Sequence, residues 1–217
     1  METIGLLSGI GHLPVDVALS AKSMGYRVIA VGVVPDIDPE LAEAVDAYYD
    51  IHIGKIGKII STLKKNDVKT VTMIGKVTKE LLYKAGAVVP DLRAIKILAS
   101  VPDRKDDTIM NAIVKELKGE GIKVMDQTLL IQPLLPPPGV LTQRMPTEAE
   151  VADMDFGFAM AKEIGRLDIG QTVVVKDRAL MAVEAIEGTD ACILRGGTLG
   201  KGVIVAKTAK PAQDNRF

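Results

Sequence analysis

Short apolar runs alternate with stretches of helical spacing through the first half of the chain. TIGLLSG, starting at Thr3, is an apolar run closed by a glycine and reads as a buried strand. LPVDVALSAKSMG follows with helical spacing and a stop at Gly25. YRVIAVGVV is rich in valine and isoleucine and predicts a second strand. DPELAEAVDA places acids in its first turn, where the helix macrodipole favours them. YYDIHIG and VKTVTMIG predict strands on either side of the helix IGKIISTLKKN. DLRAIKILASV, DDTIMNAIVKELKGEG and IKVMD then read as helix, helix and strand. This alternation predicts an α/β protein with a mostly parallel sheet covered by helices on both faces.

The pattern then changes. TLLIQPLLPPPGVLTQRMP holds prolines at 133, 136, 137, 138 and 146. Proline removes backbone donors and resists both helix and central strand, so the stretch reads as an interdomain linker over 129–146. An apolar surface that meets lipid is the functional alternative. A second, smaller α/β domain is expected over 147–217, after an N-terminal domain over 1–128. Thr147 with Glu150 resembles a capping box at the start of the helix TEAEVADMDFGFAMAKEIG. QTVVVKD and ALMAVEA suit a hairpin across KDR, EGTDACILRGGTLG a loop and short helix, and KGVIVAK a last strand. No internal repeat is visible.

Composition narrows the function classes. The chain has 217 residues, enough for one domain or two small ones, with 47% hydrophobic and 25% charged residues, as in a globular protein. A formal net charge of -1 and 3% aromatics with no Trp argue against nucleic acid as a partner. The single Cys192 excludes an internal disulfide and a Cys-rich metal site, and His12 and His52 have no metal-ligand spacing. Any metal is expected to be a hard cation held by oxygen. Glu2 and the short first apolar run do not fit a signal peptide. No apolar run reaches the roughly 18 residues of a membrane span. A cytoplasmic protein is therefore expected.

Several motifs carry candidate chemistry. SGIGHLP puts Gly9 and Gly11 between a strand and a helix, where backbone can approach an anion. Pro14 stands where a dinucleotide fingerprint needs its third glycine, so tight-turn chemistry competes with phosphate binding and NAD is disfavoured. Lys58 and Lys76 follow glycines at strand–helix transitions and suit a diphosphate; plain solvation is favoured for Lys58 and function for Lys76. Asp106 and Asp107 could hold Mg²⁺ with phosphate oxygens, although capping of a helix start explains them on spacing alone. Arg166, Asp168 and Gln171 sit between a helix and a strand, and the plain reading is a turn held by an Arg–Asp pair. Glu184, Glu187, Thr189 and Asp190 gather near a strand end, with Arg195 one turn on. Lys207, Lys210, Gln213 and Arg216 gather near another. Neighbouring strand ends would bring these clusters together around an anionic, phosphorylated ligand. Nothing supports a covalent nucleophile: Cys192 has no histidine near it in sequence.

GLLSGIGHLP, IGKIGKI, KDD, EIGRLDIGQ, EGTDA and AKTAKPAQDNR occur in that order along the whole chain. Together they resemble the UDP-2,3-diacylglucosamine pyrophosphatase family of lipid A biosynthesis, in its two-domain, non-metallophosphoesterase form. The resemblance implies a Rossmann-like N-terminal domain joined to an α/β C-terminal domain. It implies hydrolysis of UDP-2,3-diacylglucosamine to UMP and 2,3-diacylglucosamine 1-phosphate, with water attacking the β-phosphorus and Mg²⁺ as cofactor. Asp190, Asp106 and Asp107 then become candidate catalytic and metal-binding carboxylates. Lys76, Arg195, Lys207, Lys210 and Arg216 become candidate diphosphate clamps, with Gly9, Gly11, Thr189 and Gln213 also on the substrate. The partner is a lipid-linked UDP-sugar, and a cytoplasmic enzyme would touch the inner-membrane surface transiently. A homodimer is an open alternative to a monomer. Family chains carry an aspartate soon after the arginine matched by Arg216, so the resemblance implies a chain cut short at Phe217; Asp214 precedes that arginine and does not take the role. The reading from another class is a nucleotide-sugar or nucleotide binding module without catalysis.

Overall fold

The computed structural model describes residues 1–77, 89–103 and 106–211, the side chains of Asp106 and Asp107 excepted. Strands β1 (Thr3–Ser8) and β2 (Arg27–Gly32) are buried along almost their whole length, as parallel strands with helices on both faces must be. Together with β3 (Ala47–Asp50), β4 (Thr70–Ile74) and β5 (Lys123–Val124) they form a parallel sheet in the order β3-β2-β1-β4-β5. IKVMD therefore contributes only two paired residues, as an edge strand.

Helices separate the strands: α1 (Leu13–Ser23), α2 (Glu40–Ala44), α3 (Ile56–Lys65), α4 (Leu92–Ser100) and α5 (Asp106–Gly119). Side chains alternate across a strand, so the sheet has two cores. Ile4, Leu6, Val28 and Ala30 pack with Val15 and Ala18 of α1. Ile29, Val31 and Val71 pack with Ile59, Leu63, Ile97 and Leu117 of α3, α4 and α5. Those three helices are also laced at the surface, where Glu120 takes both Lys64 and Arg93.

The proline-rich stretch divides. Gln127–Leu130 and Gln132–Leu134 form short 3₁₀ helices, and Leu130 and Ile131 are buried in the α1-side core. The first compact unit therefore reaches Pro136, further than the expected linker start at 129, and the second begins at Pro137.

The second unit holds an antiparallel sheet in the order β7-β6-β8, made of β6 (Thr172–Lys176), β7 (Ala179–Val183) and β8 (Ile204–Lys207). Helix α6 (Glu148–Arg166) covers one face through Val173, Val175 and Ala206. Helix α7 (Thr189–Leu199) covers the other through Val174, Ala182 and Cys192. The capping box at Thr147 and Glu150 is formed, and hydrogen bonds from Arg144 hold the Glu150 carboxyl at a pKa of about 2.

The β6–β7 turn lies at Asp177 and Arg178, both at positive φ (50° and 57°), the geometry of a tight hairpin turn. Neither residue is glycine, so the conformation is unfavourable by itself. The Asp153 carboxylate of α6 offsets it by accepting from the Asp177 and Arg178 N–H groups at 2.9 and 2.6 Å. Asp153 is 8% exposed, so water cannot readily replace it. Asp153→Ala is expected to lower the stability of this unit by about 2–3 kcal/mol, read by denaturant unfolding.

Candidate functional site

Antiparallel pairing sets the start of β6 beside the ends of β7 and β8, with Thr172 opposite Lys207. Helix α7 begins at the same edge. Polar groups that no strand interior could hold collect there. Glu184 follows β7 and is 7% exposed. Its carboxylate accepts from the Thr189 hydroxyl at 3.1 Å and from the Gln171 N–H at 3.4 Å. Lys207 Nζ donates to Thr189 Oγ1 at 3.1 Å, and Thr172 Oγ1 lies 3.3 Å from the same atom. Gly170 makes this approach possible, because a Cβ there would overlap the Glu184 carbonyl oxygen.

Lys210 Nζ sits 2.7 Å from Asp168 Oδ1, with both side chains largely shielded. Arg195 donates to the Val183 carbonyl at 2.9 Å and to Glu187 at 3.2 Å, which ties α7 to the end of β7. Backbone N–H groups, its own first, hold the Glu187 carboxyl below its usual range. Asp190 is exposed in the first turn of α7, where a negative charge complements the helix dipole. Burial pushes the Cys192 thiol pKa up, which suits a core residue rather than a nucleophile.

The first unit has its own polar edge at the carboxyl ends of its strands. Strand order reverses between β1 and β4, the position where open α/β sheets bind ligands. Here the position is laced by backbone. Ile10 and Lys76 exchange two hydrogen bonds of 2.9 Å, and the Gly9 N–H donates to the Ile74 carbonyl at 2.8 Å. A Cβ on Gly9 would meet the Lys76 carbonyl oxygen at 2.6 Å, and one on Gly75 would meet Gly9 backbone. Gly9 thus admits the chain's own backbone. Gly11 is a turn glycine at φ 108°.

Beside this lacing, His12 Nδ1 lies 2.9 Å from Asp38 Oδ2, and its Nε2 lies 3.9 Å from Asp16. The Asp38 hydrogen bond, helped by the Asp16 charge, raises the His12 pKa above its ordinary value. Sequence reading considered His12 only as a metal ligand; Asp38 is 26 residues away and carries no motif.

Of the candidate residues, the structure joins Thr189 to Lys207, keeps Lys210, Arg195 and Asp190 in the same unit, and places Gly9, Gly11 and Lys76 at the edge of the other. Asp106 opens α5, its side chain and that of Asp107 outside the description. Gln213 and Arg216 lie outside the described residues. Among the described residues no group of three or more His, Cys, Asp or Glu converges as a metal site. Glu184 was legible as one of a polar gathering, but Thr172 was not, because a threonine opening a valine run reads as a strand residue.

A Rossmann-like parallel sheet followed by a small helix-covered antiparallel sheet, each with a polar end, defines a two-domain α/β protein. The chain belongs to the LpxI family: the LpxI N-terminal domain matches residues 3–134 and the LpxI C-terminal domain residues 137–217. It is 33% identical, over all of its length and 80% of the relative's, to the UDP-2,3-diacylglucosamine pyrophosphatase LpxI of Caulobacter vibrioides. Among solved structures, N5-carboxyaminoimidazole ribonucleotide synthetase of Thermotoga maritima matches with a TM-score of 0.33 at 18% identity, over 81% of this chain and 34% of that one. N5-carboxyaminoimidazole synthetase of Staphylococcus aureus matches at 0.35 and 14%, over 94% and 46%. Likeness at that level carries no argument about this chain.

Two measurements check the site geometry. Gly170→Ala is expected to cost roughly 1–3 kcal/mol by overpacking and to displace Glu184, seen in unfolding and in amide shifts of residues 184–189. For His12 the folded pKa is raised, so its tie to Asp38 is fully present below about pH 6.5 and is lost as pH rises through the folded value. An NMR titration of the imidazole should show a midpoint above the ordinary one, falling back in Asp38→Asn.

Proposed function

We propose that this chain hydrolyses the diphosphate of UDP-2,3-diacylglucosamine, releasing UMP and 2,3-diacylglucosamine 1-phosphate for lipid A synthesis. The observation that carries the reading is whole-chain identity of 33% to a curated enzyme of that name, with both family domains present. The polar sheet end of the second unit supports it, since an ammonium held at a helix start can take phosphate oxygens.

In this reading Lys207 binds oxygens of the diphosphate while Thr189 holds its ammonium, with Arg195 and Lys210 as further cations of the same unit. Water attacks phosphorus and UMP leaves. The fixed donors replace the water that would otherwise solvate the developing charge. Gln213, Arg216, Lys76, Gly9 and Gly11 remain candidate substrate ligands. Mg²⁺ is the proposed cofactor; bound with the diphosphate, it would neutralise developing negative charge. A magnesium ion that arrives on phosphates needs only one or two protein carboxylates. Asp190 fits that need, being exposed beside Thr189, and Asp106 and Asp107 are the other candidates. Substrate with two acyl chains resides in lipid, so the proposed enzyme works at the cytoplasmic surface of the inner membrane. No helix among the described residues is long and apolar enough to cross it.

The test is UMP release from UDP-2,3-diacylglucosamine with Mg²⁺ and with chelator. Mg²⁺-dependent release is expected, and Lys207→Ala should lower kcat/KM by about 10²–10³-fold. A shift in melting temperature on UDP without any UMP release would favour a binding module instead.

A further inference from the structure

We propose that Glu184 is a positioning residue that acts through Thr189 on the ammonium of Lys207. The proposal rests on the reading of Lys207 as a phosphate ligand. The chemistry of the three groups gives their contact a direction. Lys207 can only donate, so Thr189 Oγ1 accepts from it at 3.1 Å. An ionised carboxylate can only accept, so the Thr189 proton turns to Glu184 Oε1, also at 3.1 Å. The other carboxylate oxygen is occupied by the Gln171 N–H. Each donor in the row faces an acceptor.

A carboxylate at 7% exposure is an unusual choice for a purely structural acceptor. Among the described residues no cation pairs with Glu184 directly; its nearest route to one runs through Thr189. Lys207 itself is exposed and sits at the end of a strand. An exposed lysine samples many rotamers unless an acceptor selects one. Thr189 is that acceptor, and Glu184 fixes which way its hydroxyl points.

The arrangement makes a prediction whose sign is opposite to simple electrostatics. Glu184→Gln removes a negative charge close to a proposed anion site, which by Coulomb attraction alone should tighten anion binding. Glutamine cannot accept at both oxygen positions. Its amide NH₂ must face either the Gln171 N–H or the Thr189 hydroxyl oxygen that Lys207 uses. Either way Thr189 can still accept from Lys207, so glutamine is a conservative replacement; Glu184→Ala removes the acceptor that orients the hydroxyl as well as the charge, and with it anion binding should weaken.

Calorimetric titration with inorganic pyrophosphate reads this without requiring turnover. Lys207→Ala should weaken pyrophosphate binding roughly tenfold. Glu184→Ala and Thr189→Val should each weaken it about three- to tenfold. Thr189→Ser should recover most of the Thr189→Val loss. Thr189→Val added to Lys207→Ala should have no further effect. Thermal unfolding of each variant separates folding defects from binding; if Glu184→Ala does not fold, Thr189→Val and its serine rescue decide. Unchanged or tighter binding in Glu184→Ala, with Lys207→Ala weakened, overturns the positioning role and leaves the phosphate role of Lys207 standing. No effect of Lys207→Ala overturns both.

Discussion

A β-sheet covered by helices on both faces has only its ends left for polar chemistry. That constraint shapes both units of this protein. In the parallel sheet, β1 and β2 are buried almost throughout, and in the antiparallel sheet the core of β6 is wholly apolar valine between two helices. A buried polar side chain without a partner is expensive, so polar groups are confined to strand ends and helix starts. Among the described residues, the Ser8, Thr72 and Thr208 hydroxyls and His52 Nε2 are buried without a hydrogen-bond partner.

The two ends are built differently. In the second unit the polar end is made of side chains: Glu184, Thr189, Lys207 and Thr172 converge because three strand termini and a helix start share one edge. In the first unit the corresponding position is filled by backbone, with Ile10 paired to Lys76 and two glycines allowing the approach. Side-chain chemistry there is displaced outward, to His12, Asp38 and Asp16. The C-terminal unit gathers ammonium, hydroxyl and carboxylate groups at its polar end.

Much of the fold was legible because it follows from period and punctuation. Valine- and isoleucine-rich runs closed by glycine became the strands of the parallel sheet, and Thr147 with Glu150 became a formed capping box. What was not legible depends on partners far away in the chain. Gly9 read as either a phosphate approach or a tight turn, and its neighbour is the backbone of Gly75 and Lys76. Lys210 read as a diphosphate clamp, yet it also has Asp168 as a partner 42 residues earlier. Leu130 and Ile131 read as linker, since prolines hide the apolar spacing that buries them on α1. The site was legible as a gathering of charge, while its internal order was not, because hydrogen-bond direction follows from placement rather than composition.

The Asp153 contact with the β6–β7 turn also bears on the order of folding events. A two-residue turn with asparagine and glycine can form early, from local preference alone. Asp177 tolerates this conformation but Arg178 does not favour it, and the amides of both are satisfied by a carboxylate 24 and 25 residues upstream. The hairpin is therefore expected to be completed on a docked α6 rather than before it. A hairpin that looks local in sequence thus shares the loop-closure cost of a contact 24 and 25 residues away.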